Sequence, residues 1–268
     1  MPVLPLLSQL LRVLLRACAA LSLSGLCQAA LAQAPKSLLD TAQSAGVLRI
    51  CTTGDFKPFT IAKGEDYEGI DIEMGRSLAK ALGVEPRFVR TKWPELMPDV
   101  LGGKCDVAMG GIGITLERAK RVFFSAPTFQ GGAAPLVRCA DKTRFQTIAE
   151  IDKPDVKVIV NPGGNNERFA RGNFKQAGIT VHADNLTVFD EILAGRADVM
   201  VTSAIEGLIQ EKQRPGLCVV NADKPFTFSE IAYVLPLGDV NFKAFVDQWI
   251  RIAISSGEYK RYYDRFVH

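Results

Sequence analysis

Short apolar segments alternate with amphipathic helical segments along most of this 268-residue chain. In 71–82, which exemplifies the helical type, Met74, Leu78 and Leu82 fall on one face and Gly83 follows as a stop signal. An alternation of this kind predicts an α/β protein with mostly parallel sheets. The predicted strands are 47–51, 87–89, 105–109, 156–160, 180–182 and 197–201, and the predicted helices are 71–82, 94–101, 165–176, 188–193 and 241–255.

The alternation is interrupted twice. The glycine-rich segment 128–135 interrupts it first, and the extended segment 231–235 does so again. Two crossings of the chain between two lobes would explain both interruptions. We therefore expect one lobe from 33–132 and 231–268, a second lobe from 133–230, and a two-strand hinge between them. Clefts between such lobes are common ligand sites.

The first 32 residues differ from the rest of the chain. They contain no Asp or Glu, two arginines (Arg12 and Arg16), an apolar stretch from Ala17 to Cys27, and the exit sequence Ala30-Leu31-Ala32. This pattern is typical of a cleavable secretory signal peptide, and the apolar stretch is too short to cross a bilayer. The sequence therefore predicts a periplasmic protein whose mature chain begins at Gln33 and has no membrane-inserted segment.

Composition and charge exclude several classes of function. The hydrophobic content of 47% is too high for a disordered chain, and a net charge of +3 is too small for a nucleic-acid-binding surface. The two histidines, His182 and His268, have no metal-ligand spacing with the cysteines. We therefore expect no nucleic-acid partner, no metal and no histidine-based catalytic triad.

Four motifs occur in the order found in a known protein family. They are the strand and aromatic loop 47–59, the segment Gly69-Ile70-Asp71-Ile72-Glu73-Met74, the run from Asp106 to Arg118, and Phe124-Ser125-Ala126-Pro127. They resemble the first strand, the following helix, the ligand-carboxylate motif and the hinge entry of polar amino-acid-type periplasmic solute-binding proteins. The resemblance covers nearly all of the chain after the signal and implies the type II periplasmic-binding-protein fold.

One branch of that family is more similar than the rest. The segments 54–59, 93–94, 144–147 and 160–170 resemble the cyclohexadienyl dehydratases. The resemblance implies a lyase that acts on prephenate, and in the family also on arogenate, in the route to phenylalanine. It implies that no cofactor is needed, and it places the family's catalytic acid on Glu167.

The implied chemistry can be compared with the residue types. Prephenate carries two carboxylates and a ring hydroxyl, and it becomes aromatic when CO2 and water leave. Arg118 offers a planar fork for a carboxylate, and the turn 163–166 opens a helix whose free N–H groups favour an anion. Glu167 must be protonated to act as a general acid, so burial must outweigh the helix N-terminus. The candidate substrate-binding residues are Arg118, Trp93, Phe56, Lys57, Gly111, Thr115, Gly164, Asn165, Asn166 and Ser203.

Five of the candidate residues also have a purely structural interpretation. Phe56 could belong to the core, and Gly111 could serve only a tight exit from a strand. Glu167 could simply support the first turn of its helix. Arg118 could lie on a solvated face, because charged residues such as Glu117 and Arg121 surround it in the sequence. Trp93 could serve only to pack the start of a helix.

The expected strand positions predict how the cysteines pair. Cys139 closes the strand that enters the second lobe, and Cys218 lies shortly before the chain leaves it, so we expect a Cys139–Cys218 disulfide. An exported protein meets an oxidising compartment, which permits this bond. Cys51 and Cys105 are expected on adjacent strands, but their register is offset, which leaves their pairing open.

Two positions depart from the wider family. Gly113 stands where amino-acid receptors carry Ser or Thr, and Ser203 stands where they carry the Asp that pairs with the ligand's amino group. A cationic amine entering the cleft would lack its counter-charge. This favours prephenate over arogenate and weakens the interpretation as an amino-acid receptor.

Two functional hypotheses follow. The leading hypothesis is a periplasmic prephenate dehydratase that binds a small-molecule carboxylate. The alternative is a periplasmic binding protein that delivers an amino acid or organic acid to an ABC transporter, whose permease would then be its partner. A ligand sensor has no supporting feature, and the sequence leaves open whether the protein forms a homo-oligomer.

Overall fold

The computed structural model describes residues 36–268, and the predicted signal peptide, 1–32, lies outside them. The strands are β1 Val47–Thr52, β2 Asp55–Phe56, β3 Thr60–Lys63, β4 Asp66–Glu68, β5 Glu85–Arg90, β6 Val107–Ala108, β7 Val122–Phe124, β8 Phe129–Gly131, β9 Ala133–Arg138, β10 Lys157–Val160, β11 Gly178–Val181, β12 Val199–Ser203, β13 Leu217–Val219, β14 Ser229–Ile231 and β15 Val234–Pro236. The helices are α1 Leu38–Ala45, α2 Ile70–Leu82, α3 Leu96–Leu101, α4 Leu116–Ala119, α5 Ile148–Ile151, α6 Asn165–Asn173, α7 Val188–Leu193, α8 Ala204–Gln213, α9 Val240–Ser255 and α10 Glu258–Val267.

The first lobe is built on a five-stranded sheet with the order β5-β1-β6-β15-β7. Strand β1 runs parallel to β5 and β6, whereas β15 runs antiparallel to β6 and β7. The apolar face of α2, with Met74 and Leu78, packs with Ile50 of β1 and Trp249 of α9 in one buried cluster. The period of the apolar residues in α2 and α9 therefore reflects this burial.

The second lobe is built on a five-stranded sheet with the order β11-β10-β12-β9-β13. Strand β10 runs parallel to β11 and β12, and β9 runs antiparallel to β12 and β13. One buried cluster includes Val158 and Phe174, and another includes Ile159 and Phe189. Because Val158 and Ile159 are neighbours on β10, their side chains point to opposite faces, and both faces of the sheet are covered.

The two-lobed α/β fold is as predicted, but the sheets are mixed rather than mostly parallel. Each sheet has two parallel and two antiparallel pairings. The antiparallel strands include β9 and β15, which follow directly on the two crossings. The parallel strands of each lobe run toward the hinge side, whereas a strand that enters the lobe from the hinge runs away from it, so the two directions are antiparallel.

Strands β8 and β14 form a two-stranded antiparallel ribbon, in which Gly131 lies opposite Ser229 and Phe129 lies opposite Ile231. In the sequence, each of these two strands falls between a strand of one large sheet and a strand of the other. The proposed lobe boundaries, 33–132 with 231–268 and 133–230, separate the strands of the two large sheets. A further apolar cluster joins Phe59 and Ile70 of the first lobe to Ile205 of the second.

Several element limits differ from the sequence-based prediction. The predicted strand 105–109 is reduced to Val107–Ala108, and the predicted helix 165–176 ends at Asn173. Helices α1, α4, α5, α8 and α10 were not predicted. Helix α10 has no fully buried residue and packs through Tyr259, Tyr262 and Phe266, which follow helical spacing. Among the helices of residues 36–268, none has both the length and the apolar character needed to cross a bilayer.

Both cysteine pairs form disulfides. The predicted Cys139–Cys218 bond joins α carbons 4.7 Å apart, where β13 pairs with β9. Cys51 and Cys105 also pair, with α carbons 5.6 Å apart. Their register is indeed offset, since Cys51 lies opposite Ala108. Cys105 reaches it because this residue precedes β6 and is not held in the strand ladder.

Candidate functional site

A cavity of about 300 Å³ is lined by residues of both lobes and of the hinge. The first lobe contributes Phe56, Trp93, Gly111, Gly113, Ile114 and Thr115. The second contributes Asn161, Gly164, Asn165, Asn166, Arg168, Phe169, Asn185, Ser203 and Glu206. The hinge region contributes Gly132, Ala133, Thr227, Phe228, Ser229 and Ile231.

Two aromatic side chains form one wall of this cavity. Phe56, at the end of β2, meets Trp93 edge to face with ring centroids 6.0 Å apart. Trp93 is held by a hydrogen bond from its Nε1 to Asp55 Oδ1 at 3.0 Å. A Cβ atom on Gly111, where φ is 74°, would lie 2.3 Å from the Phe56 ring, so only glycine permits this packing. The wall offers an apolar surface to a ring-shaped ligand.

The loop that carries Gly111 is held by a buried carboxyl group. Asp71 Oδ2 accepts hydrogen bonds from the backbone N–H groups of Gly110 at 3.1 Å and Gly111 at 2.7 Å, and Tyr233 Oη donates to Oδ1 at 3.2 Å. Burial raises the pKa of Asp71 to about 6 in spite of these bonds. The conspicuous Gly-Ile-Asp segment of the sequence therefore serves to position the cavity wall.

Arg118 is buried next to the cavity, although it is not among its lining residues. Its Nη1 donates to the carbonyl oxygen of Gly113 at 2.9 Å, and its Nε and Nη2 have no hydrogen-bond partner within residues 36–268. Burial, together with the nearby charge of Arg168, lowers the pKa of Arg118 to about 10, so the guanidinium stays charged at neutral pH. Its 6% exposure excludes the solvated-face interpretation. Thr115, which lines the cavity, accepts a hydrogen bond from Arg118 N at 3.2 Å.

The start of α6 forms another part of the wall. Gly164 precedes the helix, and Asn166 Nδ2 donates to Asn161 Oδ1 at 3.3 Å and to Thr202 Oγ1 at 3.1 Å. These bonds tie the helix start to β12. The first N–H groups of a helix have no partner within it, so this end is suited to an anionic ligand.

Glu167 lies in the first turn of α6 but outside the cavity lining. Its Oε2 accepts from the backbone N–H of Gly163 at 2.7 Å, and its Oε1 pairs with Arg171 at 2.8 Å. The hydrogen bond from Gly163 and the pairing with Arg171 lower the pKa of Glu167. In this arrangement Glu167 is an ionised carboxylate.

Lys57 is likewise outside the cavity lining, and Ser203 is part of it. The Nζ of Lys57 donates to Gln213 Oε1 at 2.6 Å, and burial lowers the pKa of the Lys57 amine. Ser203 precedes α8 without capping it through its side chain. Thus the cavity brings together the predicted residues Phe56, Trp93, Gly111, Thr115, Gly164, Asn165, Asn166 and Ser203, whereas Arg118, Lys57 and Glu167 lie outside its lining.

Sequence reasoning missed six polar residues of the cavity, among them Arg168, Asn185 and Glu206. Arg168 lines it, and Asn185 donates from Nδ2 to the carbonyl oxygen of Asp55 at 2.8 Å, across the cleft. Glu206 is buried on the cavity wall, and Thr202 Oγ1 donates to its Oε2 at 2.6 Å. The spacing of Thr202 and Glu206 is a usable signal only once a helix is predicted after β12, and that helix was missed.

Within residues 36–268, no group of three or more His, Cys, Asp or Glu side chains is placed to hold a metal ion.

Comparison with known proteins agrees with this architecture. The family model of the bacterial extracellular solute-binding proteins, family 3, matches residues 48–268. Cyclohexadienyl dehydratase of Pseudomonas aeruginosa is 48% identical to the chain over 239 residues, which are 89% of this chain and 89% of that protein. The L-cystine-binding protein TcyJ of Escherichia coli is 28% identical over 177 residues, 65% of each chain.

Comparison with solved structures points to the same protein family. An ancestral amino acid-binding protein that is a precursor of cyclohexadienyl dehydratase aligns with a TM-score of 0.81 at 33% identity, covering 87% of this chain and 100% of that chain. An ancestral cyclohexadienyl dehydratase aligns with a TM-score of 0.55 at 45% identity, covering 88% and 98%. The chain therefore belongs to family 3 of the bacterial extracellular solute-binding proteins, in the branch of the cyclohexadienyl dehydratases.

Proposed function

We propose that this protein is a cofactor-independent dehydratase that converts prephenate to phenylpyruvate with loss of water and CO2. The charge balance of the cavity carries the proposal. Arg168 lines the cavity, Arg118 bonds to Gly113 of its wall, and Glu206 is the one acidic residue in the lining formed by residues 36–268. Burial raises the pKa of Glu206 to about 8, so the cavity is positive at neutral pH.

A ligand with two carboxylates fits this balance better than an amino acid does. Two arginines can each meet a carboxylate, whereas the ammonium of a zwitterion would be buried beside Ser203 without an ionised partner. Arogenate carries such an ammonium where prephenate has a keto oxygen. Prephenate is therefore the better substrate under this proposal. The 48% identity to cyclohexadienyl dehydratase of P. aeruginosa supports the same substrate class.

The reaction requires the protein only to orient the substrate and to supply one proton. The bond between the ring and its carboxylate breaks and releases CO2, and its electron pair enters the ring. The ring bond to the hydroxyl breaks at the opposite carbon, and one proton converts the departing hydroxyl to water. Aromatisation of the ring drives both steps, and the aromatic wall of Phe56 and Trp93 holds the ring while the arginines hold the carboxylates.

Glu167 is the proton donor in this proposal, as the resemblance implies. The role requires its carboxyl to leave Arg171 and Gly163 and to take up a proton when substrate binds. A dianionic substrate near the start of α6 favours this exchange, because it competes for Arg171 and disfavours a further negative charge. The general acid therefore forms with the substrate complex.

The proposed setting is the periplasm, with a small-molecule carboxylate as the binding partner. The predicted signal peptide, the two disulfides and the extracellular family support this setting.

A second candidate function is the binding of an amino acid for uptake by an ABC transporter. The similarity to the L-cystine-binding protein and to an ancestral amino acid-binding protein favours it. The absence of a carboxylate at Ser203 speaks against it, because the ligand's ammonium would then be unpaired.

Turnover separates the two functions. Purified protein is mixed with an excess of prephenate, and phenylpyruvate is followed over time; we expect many product molecules per protein molecule. Calorimetric titration with cystine and arginine runs in parallel. Tight binding of an amino acid, with no phenylpyruvate formed, would establish the transport role instead.

A further inference from the structure

Glu206 is a carboxyl group on the cavity wall that the proposed mechanism leaves without a role. It lies in the first turn of α8 and is 1% exposed. Thr202 Oγ1 donates to its Oε2 at 2.6 Å, and its Oε1 has no hydrogen-bond partner within residues 36–268. One oxygen is therefore held by the protein, and the other is available to a ligand.

The surroundings of Glu206 favour the protonated carboxyl. Burial is the dominant influence and raises its pKa to about 8, and the hydrogen bond from Thr202 opposes this effect. Of the charged groups, Asp55 disfavours ionisation and Lys57 favours it. The Nζ of Lys57 bonds to Gln213 rather than to Glu206. A buried carboxylate with one hydroxyl donor and no cation in contact is unfavourable, so the neutral acid predominates at neutral pH.

The hydrogen-bond chain places the proton of this acid. Thr202 Oγ1 accepts from Asn166 Nδ2 at 3.1 Å and donates its own proton to Glu206 Oε2. Because Oε2 already accepts a proton, the acid's own proton belongs on Oε1. Glu206 thus presents a donor to the cavity.

Asn185 presents the complementary group. Its Nδ2 donates to the carbonyl oxygen of Asp55, and its Oδ1 is buried without a partner within residues 36–268. Asn185 and Glu206 line the same cavity. A hydroxyl accepts one hydrogen bond and donates another, so it can satisfy Glu206 Oε1 and Asn185 Oδ1 together.

We propose that Glu206 is a specificity-determining residue whose neutral carboxyl donates a hydrogen bond to the ring hydroxyl of the substrate and whose ionisation closes the cavity to a dianion. This inference rests on the proposed dehydratase function. It orients the substrate with its carboxylates at Arg118 and Arg168 and its hydroxyl at Glu206 and Asn185. Under this proposal, the charge of Glu206 determines which substrates bind in the cavity. Above its pKa the cavity repels prephenate and can accept the ammonium of arogenate.

The test is a pH profile of kcat/KM on prephenate for the full protein, from about pH 7 to about pH 10. We expect the parent to lose about tenfold in kcat/KM per pH unit above about 8, because one deprotonation abolishes binding of the dianion. Glu206→Gln keeps a donor and cannot ionise. Its kcat near neutral pH should fall by less than a hundredfold, because the amide donor is weaker than the carboxyl, and its kcat/KM should not fall further above pH 8. Arogenate should not show the alkaline loss with the parent.

Two further variants keep the result interpretable. Glu211→Gln alters the same helix outside the cavity lining and should behave like the parent. Thr202→Val removes the hydroxyl that stabilises the Glu206 carboxylate, so the alkaline loss should begin at higher pH. This variant also tests the proposal if Glu206→Gln does not fold.

Three other outcomes would contradict the proposal for Glu206 or the dehydratase function. An alkaline loss retained in Glu206→Gln, or unmoved in Thr202→Val, assigns the loss to another group such as Lys57 and ends the proposal. A fall in kcat of a hundredfold or more in folded Glu206→Gln makes Glu206 the proton donor and also ends it. A parent protein that forms no phenylpyruvate overturns the dehydratase function, and this inference falls with it.

Discussion

A Cβ atom on Gly113 would lie 2.2 Å from Asn165 Nδ2, so the glycine of one lobe leaves the space that the asparagine of the other lobe occupies. Both residues line the cavity. A hydroxyl-bearing side chain at position 113, as in amino-acid receptors, is therefore incompatible with this placement of Asn165. The absence of a side chain at position 113 and the position of the start of α6 therefore depend on each other.

Gly113→Ala should displace Asn165 and lower kcat/KM on prephenate by about tenfold or more, because small misplacements of groups that hold the substrate carry large rate costs. Asn165→Ala in the same background removes the collision. We therefore expect a much smaller effect of Gly113→Ala in the double variant than in the parent, a coupling that a double-mutant cycle measures. Equal effects in the two backgrounds would show that the collision is not the cause.

Arg118→Lys keeps the charge but loses the planar fork. Hydrogen bonds to charged groups contribute about 1.5–3 kcal/mol, so we expect KM for prephenate to rise roughly ten- to a hundredfold. Arg118→Ala should raise it further and lower kcat as well. Arg121→Lys, at an exposed position close by, serves as the matched control. A KM unchanged in both Arg118 variants would remove Arg118 from substrate binding.

Glu167→Gln removes the proton that the mechanism assigns to Glu167 while keeping the shape of the side chain. Loss of general-acid help typically lowers the rate by about 10²–10⁴, and we expect this in kcat rather than KM. Arg171→Ala removes the cation that holds Glu167 ionised, so the pKa of Glu167 should rise and turnover should persist. NMR titration of the Glu167 carboxyl measures the first effect, and steady-state kinetics measure the second.

The contrary result would be equally informative. Turnover of Glu167→Gln within a few-fold of the parent would exclude Glu167 from proton transfer. Its carboxylate would then have only the structural role it has here, which is to hold the backbone at Gly163 and pair with Arg171.

The fold could be predicted largely from local patterns. Helix α2 was placed within one residue because its apolar face and the glycine stop are both local signals. Helix α10 was missed although its aromatic residues follow helical spacing, whereas the antiparallel direction of β9 and β15 was missed because strand direction depends on the hinge. To predict the direction of such strands, one must know which segments pack against each other in the fold.

Sequence motifs pointed to some of the residues that line the cavity and not to others. Gly111, Asn165 and Ser203, which were predicted to bind substrate, line the cavity. Glu206 and Asn185 were not found, because nothing in the surrounding sequence marks either as a cavity residue. The charge state of Glu167 could not be predicted either, because its partner Arg171 matters only through the contact between their side chains.

The disulfides provide the last prediction, which concerns stability rather than chemistry. Cys51 and Cys105 are 54 residues apart in sequence, and Cys139 and Cys218 are 79 apart. In the chain-entropy model, closing loops of this size restricts the unfolded chain and contributes about 4 kcal/mol per bond. The double variants Cys51→Ser with Cys105→Ser, and Cys139→Ser with Cys218→Ser, should each lower the free energy of unfolding by about this amount.

Urea unfolding of the parent and of the two double variants measures the effect, and peptide mapping without reductant verifies which bond each variant retains. Each bond lies within one lobe, so the two losses should be nearly additive when the parent is fully reduced. Reduction should also leave kcat nearly unchanged under conditions where the protein stays folded, because neither disulfide contributes to the cavity lining. A parent protein with the same urea midpoint before and after reduction would contradict a stabilising role for both bonds.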